Sequence, residues 1–87
     1  MFDNITIKDV KTGIGSLVKT LRSREALTQE QLAEKLGLSR LTIQNLESGR
    51  NPTMDTLLKV LQHFDLLGGF NSYIESEIRN NNQQSLY

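Results

Sequence analysis

Laid on a helix, five residues of the segment SRLTIQNLES (residues 39–48) share one face. Arg40, Leu41, Gln44, Asn45 and Ser48 fall at i, i+1, i+4, i+5 and i+8. None of the five is acidic. Guanidinium and amide side chains carry the donor and acceptor pairs that match base edges, so the chemistry on offer is hydrogen bonding in a nucleic-acid groove. Other chemistries are poorly served. The 87 residues include no cysteine, one histidine and no glycine-rich phosphate loop, which leaves no thiolate metal site and no nucleophile paired with a base. No catalytic residue, metal ligand or cofactor is therefore assigned, and the chain is expected not to be an enzyme. His63 lies on the flank of an apolar stripe and reads as a structural side chain.

The elements needed to hold that face follow from apolar spacing and end signals. Ser39 is a good N-cap and Gly49 a stop, giving a helix over 39–48 anchored inward by Ile43 and Leu46. Before it, Thr28 and Gln31 have the form of a capping box, Leu32, Ala33 and Leu36 point inward, and Gly37 supplies a left-handed stop, giving a helix over 28–36. Ile14, Leu17, Val18 and Leu21 form one stripe, so a first helix is expected over 12–25 with Thr12 as its cap. Gly13 and Gly15 would weaken its first turn. Met54, Leu57, Leu58, Leu61 and Phe64, with Val60 beside them, give a core helix over 53–64. The run Leu66-Leu67-Gly68-Gly69 breaks that pattern, and Phe70, Tyr73, Ile74 and Ile78 resume it as a short fifth helix over 70–79. The expectation is an all-α, compact five-helix domain over residues 12–79. An N-terminal arm precedes it over 1–11, where Ile5-Thr6-Ile7 reads as extended, and a flexible polar tail follows over 80–87.

Size and charge bound the partners. A chain this short forms one domain of modest stability. Its charge is formally zero, against the usual basic balance of DNA-binding domains, yet it is unevenly placed. Residues 8–50 carry eight Lys/Arg against five Asp/Glu, and residues 51–87 two against four. A mildly basic half meeting DNA and a mildly acidic half meeting protein fits this distribution, as does ordinary surface scatter. Lys19, Arg22 and Arg24 cluster at the end of the first helix, where they serve the helix dipole or reach phosphates. No apolar run approaches the roughly 18 residues of a membrane span, and the start lacks the apolar core of a signal peptide. A soluble, cytoplasmic protein is expected.

The residues 29–48 resemble the helix-turn-helix of the Cro/XRE family of phage-type repressors and bacterial regulators. A small residue stands at Ala33, a glycine at Gly37, and apolar residues at Ile43 and Leu46, with Leu-Thr-Gln before and Glu-Ser-Gly-Arg after. The likeness extends over roughly residues 14–64 and implies a lambda-repressor-like fold. It implies that helix 39–48 enters the major groove of double-stranded DNA. Ser39, Arg40, Leu41, Gln44 and Asn45 would then face bases, with Arg40 suited to guanine, Gln44 to adenine and Leu41 to a thymine methyl. Gln29, Thr42, Arg50 and Asn51 would meet phosphates. Ser39 and Thr42 have capping or packing as an alternative role. Leu41 departs from the polar residues commoner at its position, so a contact within the protein is its alternative. The resemblance further implies a sequence-specific regulator, a repressor acting as a homodimer on a palindromic operator, with Phe70, Tyr73, Ile74 and Ile78 as a dimer or partner surface. Residues 66–74, LLGGFNSYI, also resemble the C-terminal ends of HipB-like antitoxins, which would make a HipA-type kinase toxin a partner. The terminal Leu86 and Tyr87 would be available to dock on such a partner.

Overall fold

The computed structural model describes residues 4–85, with side chains through residue 82. The chain folds into five helices, α1 (Ile7–Arg24), α2 (Gln29–Leu36), α3 (Arg40–Glu47), α4 (Met54–His63) and α5 (Leu67–Ser85). No strand forms among the described residues, so the all-α expectation holds. None of these helices is long and apolar enough to cross a membrane.

Caps explain most of the boundaries. Thr28, Ser39 and Thr53 each accept a hydrogen bond from the backbone N–H three residues on, at the starts of α2, α3 and α4. Thr28 and Gln31 complete the expected capping box. Gly37 closes α2 in the left-handed region with φ 68°, and the Leu38 N–H returns to the Ala33 carbonyl at 2.8 Å.

Both ends of the domain differ from the sequence expectation. Within the arm expected over 1–11, residues 7–11 are helix, and Thr12 is not a cap. Thr6 is the cap instead: its hydroxyl accepts from the Asp9 N–H at 3.0 Å while the Asp9 carboxylate accepts from the Thr6 N–H at 3.1 Å. This reciprocal pair starts α1 nearly two turns early. At the other end the chain reverses over Phe64, Asp65 and Leu66. Asp65 adopts φ 60°, and the Leu66 N–H bonds the Leu61 carbonyl at 2.8 Å. Gly68 and Gly69 then lie inside α5, with open space where a Cβ would stand. They are neither a turn nor a close approach. The fifth helix consequently starts before Phe70, and the tail expected over 80–87 is helical to Ser85. Residues 1–3 of the expected arm, and Leu86 and Tyr87, lie outside the described residues.

The core is shared by the first four helices. Val18, Leu32, Ala33, Ile43, Leu46 and Val60 are buried, and Ile14, Leu27, Leu36, Leu38 and Phe64 pack against them. On α4 the buried line runs through Thr56 and Val60, whereas Met54 is 74% exposed. The stripe read from sequence was therefore rotated by part of a turn: Val60 lies at its centre, and Leu57 and Leu58 lean toward α5 instead. His63 has a structural setting, its Nε2 3.1 Å from the Glu25 Oε1 across the ends of α1 and α4 and its ring edge-on to Phe64.

Candidate nucleic-acid interface

α3 is fixed from three sides. Ile43 and Leu46 are buried beneath it. α1 crosses it at Gly15, where an added Cβ would lie 2.5 Å from the Glu47 carbonyl oxygen and 2.9 Å from that of Leu46. The backbones touch there, and no side chain fits. Gly15 is thus no weak first turn; it is the mid-helix notch into which α3 seats.

The third restraint is a polar cluster. Arg22 of α1 donates through Nε to the Glu47 Oε2 at 2.6 Å and through Nη2 to Oε1 at 3.0 Å. Its Nη1 donates to the Leu27 carbonyl at 2.8 Å, and the Gln29 Nε2 donates to the Glu47 Oε1 at 3.0 Å. The Glu47 side chain is 4% exposed and that of Arg22 13%. Burial by itself pushes the Glu47 carboxyl up. Hydrogen bonds from Arg22 and Gln29, with the charges of Arg22 and Lys19, reverse this and hold it below the usual carboxylate range. The bond to Glu47 raises the Arg22 guanidinium further against a smaller opposing effect of burial. Three helices are joined at one carboxylate. Neither Arg22 nor Glu47 stood out in the sequence as a pair, because a contact between residues 25 positions apart leaves no periodicity. The available signal was the lone acid in segment 39–48.

The outward face holds the expected groups. Arg40, Leu41 and Gln44 are exposed, and among the described residues no hydrogen bond occupies the Arg40 guanidinium or the Gln44 amide. Leu41 is 61% exposed, so its alternative role in packing within the protein falls away. Ser39 is exposed but busy: its oxygen caps Thr42 N–H at 3.1 Å and lies 2.8 Å from the Thr42 hydroxyl. Thr42 is half-buried. Ser39 therefore carries the capping role, and the Thr42 hydroxyl is bonded to that cap. Asn45 is half-buried and accepts at Oδ1 from Arg50 Nη1 at 3.3 Å. Lys11 donates its ammonium to the Asn51 Oδ1, placing a second cation, with Arg50, at the loop after α3.

Gln29, Arg40 and Arg22 line one shallow concavity at the start of α2. One Nε2 proton of Gln29 is committed to Glu47, leaving the other and the helix's first N–H groups for an anion. Arg22 lies in the last turn of α1, as its dipole reading expects. Its guanidinium is tied to Glu47 and the Leu27 carbonyl, which leaves it an internal strut where the alternative was a phosphate contact. Phe70, Tyr73, Ile74 and Ile78 are exposed on α5, between 39% and 62%. Phe70 and Ile74 join Met54, Leu57, Leu58 and Leu67 around an apolar groove of about 640 Å³. Among the described residues, no three His, Asp or Glu side chains converge as metal ligands would.

Comparison with known proteins agrees with this geometry. A helix-turn-helix family model matches residues 18–67. The antitoxin HipB of Escherichia coli strain K12 is 36% identical over 56 residues, covering 63% of this chain and 64% of that protein. The antitoxin HipB of Escherichia coli O6:H1 strain CFT073 is 34% identical over 56 residues, covering 63% and 60%. The chain spans about three fifths of the length of these curated relatives.

Proposed function

Because this chain belongs to the helix-turn-helix family, we propose that it is a sequence-specific DNA-binding transcriptional regulator, a repressor that reads double-stranded DNA through α3. The observation that carries the proposal is the acid-free face of Arg40, Leu41 and Gln44, exposed and unbonded on a helix locked to the domain by Glu47 and Gly15. Base contacts go to Ser39, Arg40, Leu41, Gln44 and Asn45, and phosphates to Gln29, Thr42, Arg50 and Asn51. The chain works by binding, without catalysis, in the cytoplasm. A single module this small has limited affinity, and a net charge of zero adds little nonspecific attraction. A homodimer on a palindromic operator supplies the missing affinity, and the apolar side chains of α5 are the surface available for it. A mobility-shift series tests the reading: Arg40→Ala should cost about 1–3 kcal/mol, concentrated at one base pair. Equal loss on every sequence would make Arg40 a phosphate contact.

A second reading adds a protein partner. The likeness to proteins named antitoxin HipB and the open apolar groove between α4 and α5 favour an antitoxin of a toxin–antitoxin system that holds a HipA-type kinase inactive and represses its own operon. Co-purification with a kinase encoded by the neighbouring gene supports it. A tight dimer that captures no such kinase counts against it.

A further inference from the structure

Asn45 and Arg50 are bound to each other before any DNA arrives. The Arg50 backbone N–H donates to the Asn45 carbonyl at 2.9 Å, which seats the loop residue over the end of α3 at the left-handed Gly49. The Arg50 guanidinium then donates to the Asn45 side-chain oxygen at 3.3 Å. Arginine has donors only, so it is the oxygen of the amide that must face it, and the NH₂ end is turned the other way. No hydrogen bond within the described chain occupies that NH₂ group.

This matters because an amide reads different bases through its two ends. Bidentate recognition of adenine needs the oxygen to accept from the exocyclic amino group while the nitrogen donates to the ring. An asparagine whose oxygen is turned toward the arginine presents its NH₂ end, and so donors, to a base. Guanine, with O6 and N7, and thymine, with O4, present keto acceptors in the major groove, whereas adenine's one acceptor, N7, stands beside an amino donor that an NH₂ end cannot meet. Resting on the DNA-reading proposal above, we propose that Arg50 is a positioning residue for specificity: it holds the Asn45 oxygen so that Asn45 reads a keto oxygen of its base pair and not an amino group. A loop residue assigned to the phosphates thus sets a preference at a base.

The test uses the full chain and double-stranded DNA selected from a random pool. Asn45→Ala identifies the base pair at which preference collapses. The selected site is then remade with that pair's keto base replaced by its analogue lacking the oxygen, or its amino base by the analogue lacking the amino group. Both changes weaken base pairing, so each controls for the other. Deleting the keto oxygen should weaken wild-type binding by roughly tenfold, the scale of one good base contact, and deleting the amino group should have little effect. Arg50→Ala should lose most of that keto sensitivity, and combining it with Asn45→Ala should change sensitivity at this pair no further. Three results overturn the inference: wild-type sensitivity to the amino group, a uniform affinity loss in Arg50→Ala with keto sensitivity intact, or an Asn45→Ala protein with unchanged preferences. If the wild-type chain enriches no sequence, the DNA-binding reading fails and takes this inference with it.

Discussion

α3 and α5 are both helices on one small domain, and they are held in opposite ways. α3 has two buried residues, a backbone contact with α1 that admits only glycine, and a nearly buried ion pair at its end. α5 is more than twice as long and packs chiefly against α4. None of its described side chains is buried, and its first turn contains two glycines that neither packing nor backbone conformation requires. At 1.5 Å per residue its 19 residues extend about 28 Å, and the molecule is elongated, 51 × 26 × 22 Å. Reading a base edge needs a side chain fixed to a fraction of an ångström, and the helix proposed to read DNA is the one that is bolted down. A surface that meets another protein can leave apolar groups exposed and acquire its order on contact.

Removing the bolt should have the largest effect. Glu47→Gln keeps the shape but strands the Arg22 guanidinium, and should cost about 3 kcal/mol, the lower end for breaking a buried pair because Arg22 keeps its bond to the Leu27 carbonyl. A urea titration should show the lower midpoint with an unaltered slope. The same carboxylate gives the domain an acid sensitivity. Its folded pKa lies below the ordinary value, so its contribution is complete above the ordinary carboxylate range. That contribution is lost as pH falls through this range toward the lowered folded value. Glu47→Gln should flatten that part of the stability–pH profile. Gly15→Ala comes next: the added methyl meets two carbonyl oxygens of α3, and about 2–3 kcal/mol should be lost as the helices part. Smallest is the change in α5. Gly68→Ala meets nothing and should raise helix stability by about 0.5–1 kcal/mol, seen as slower amide exchange in α5 with protection of α3 unchanged. An equal gain in both helices would mean that they are coupled, and the contrast between them would fall.

The same contrast explains what could be read from residues alone. α2 and α3 were legible to within about one residue because each boundary rests on local chemistry: Thr28, Ser39 and Gly37 act on their own neighbours. The outward face of α3 was legible for the same reason, since spacing on a helix fixes it. The true start of α1 is hard to read because Thr12 is as good a cap as Thr6 by type, and only the reciprocal bond with Asp9 decides between them. The full length of α5 is hidden in the sequence because Gly-Gly usually marks a turn. Here the reversal is made three residues earlier by Asp65 in the left-handed region, a conformation aspartate signals weakly. The Arg22–Glu47–Gln29 cluster was illegible because its members come from three elements, and nothing local to any of them requires the others.

The central claim is that the α3 face reads sequence in DNA, twice, on a symmetric dimer. Selection of bound sites from random double-stranded DNA by the full chain tests it most directly. A two-fold symmetric site with half-sites centred about 34 Å apart, one helical turn, is the expected result, with enrichment abolished when Arg40 and Gln44 are both changed to alanine. Recovery of DNA with no common sequence, or a site unaffected by losing Arg40 and Gln44, would contradict it.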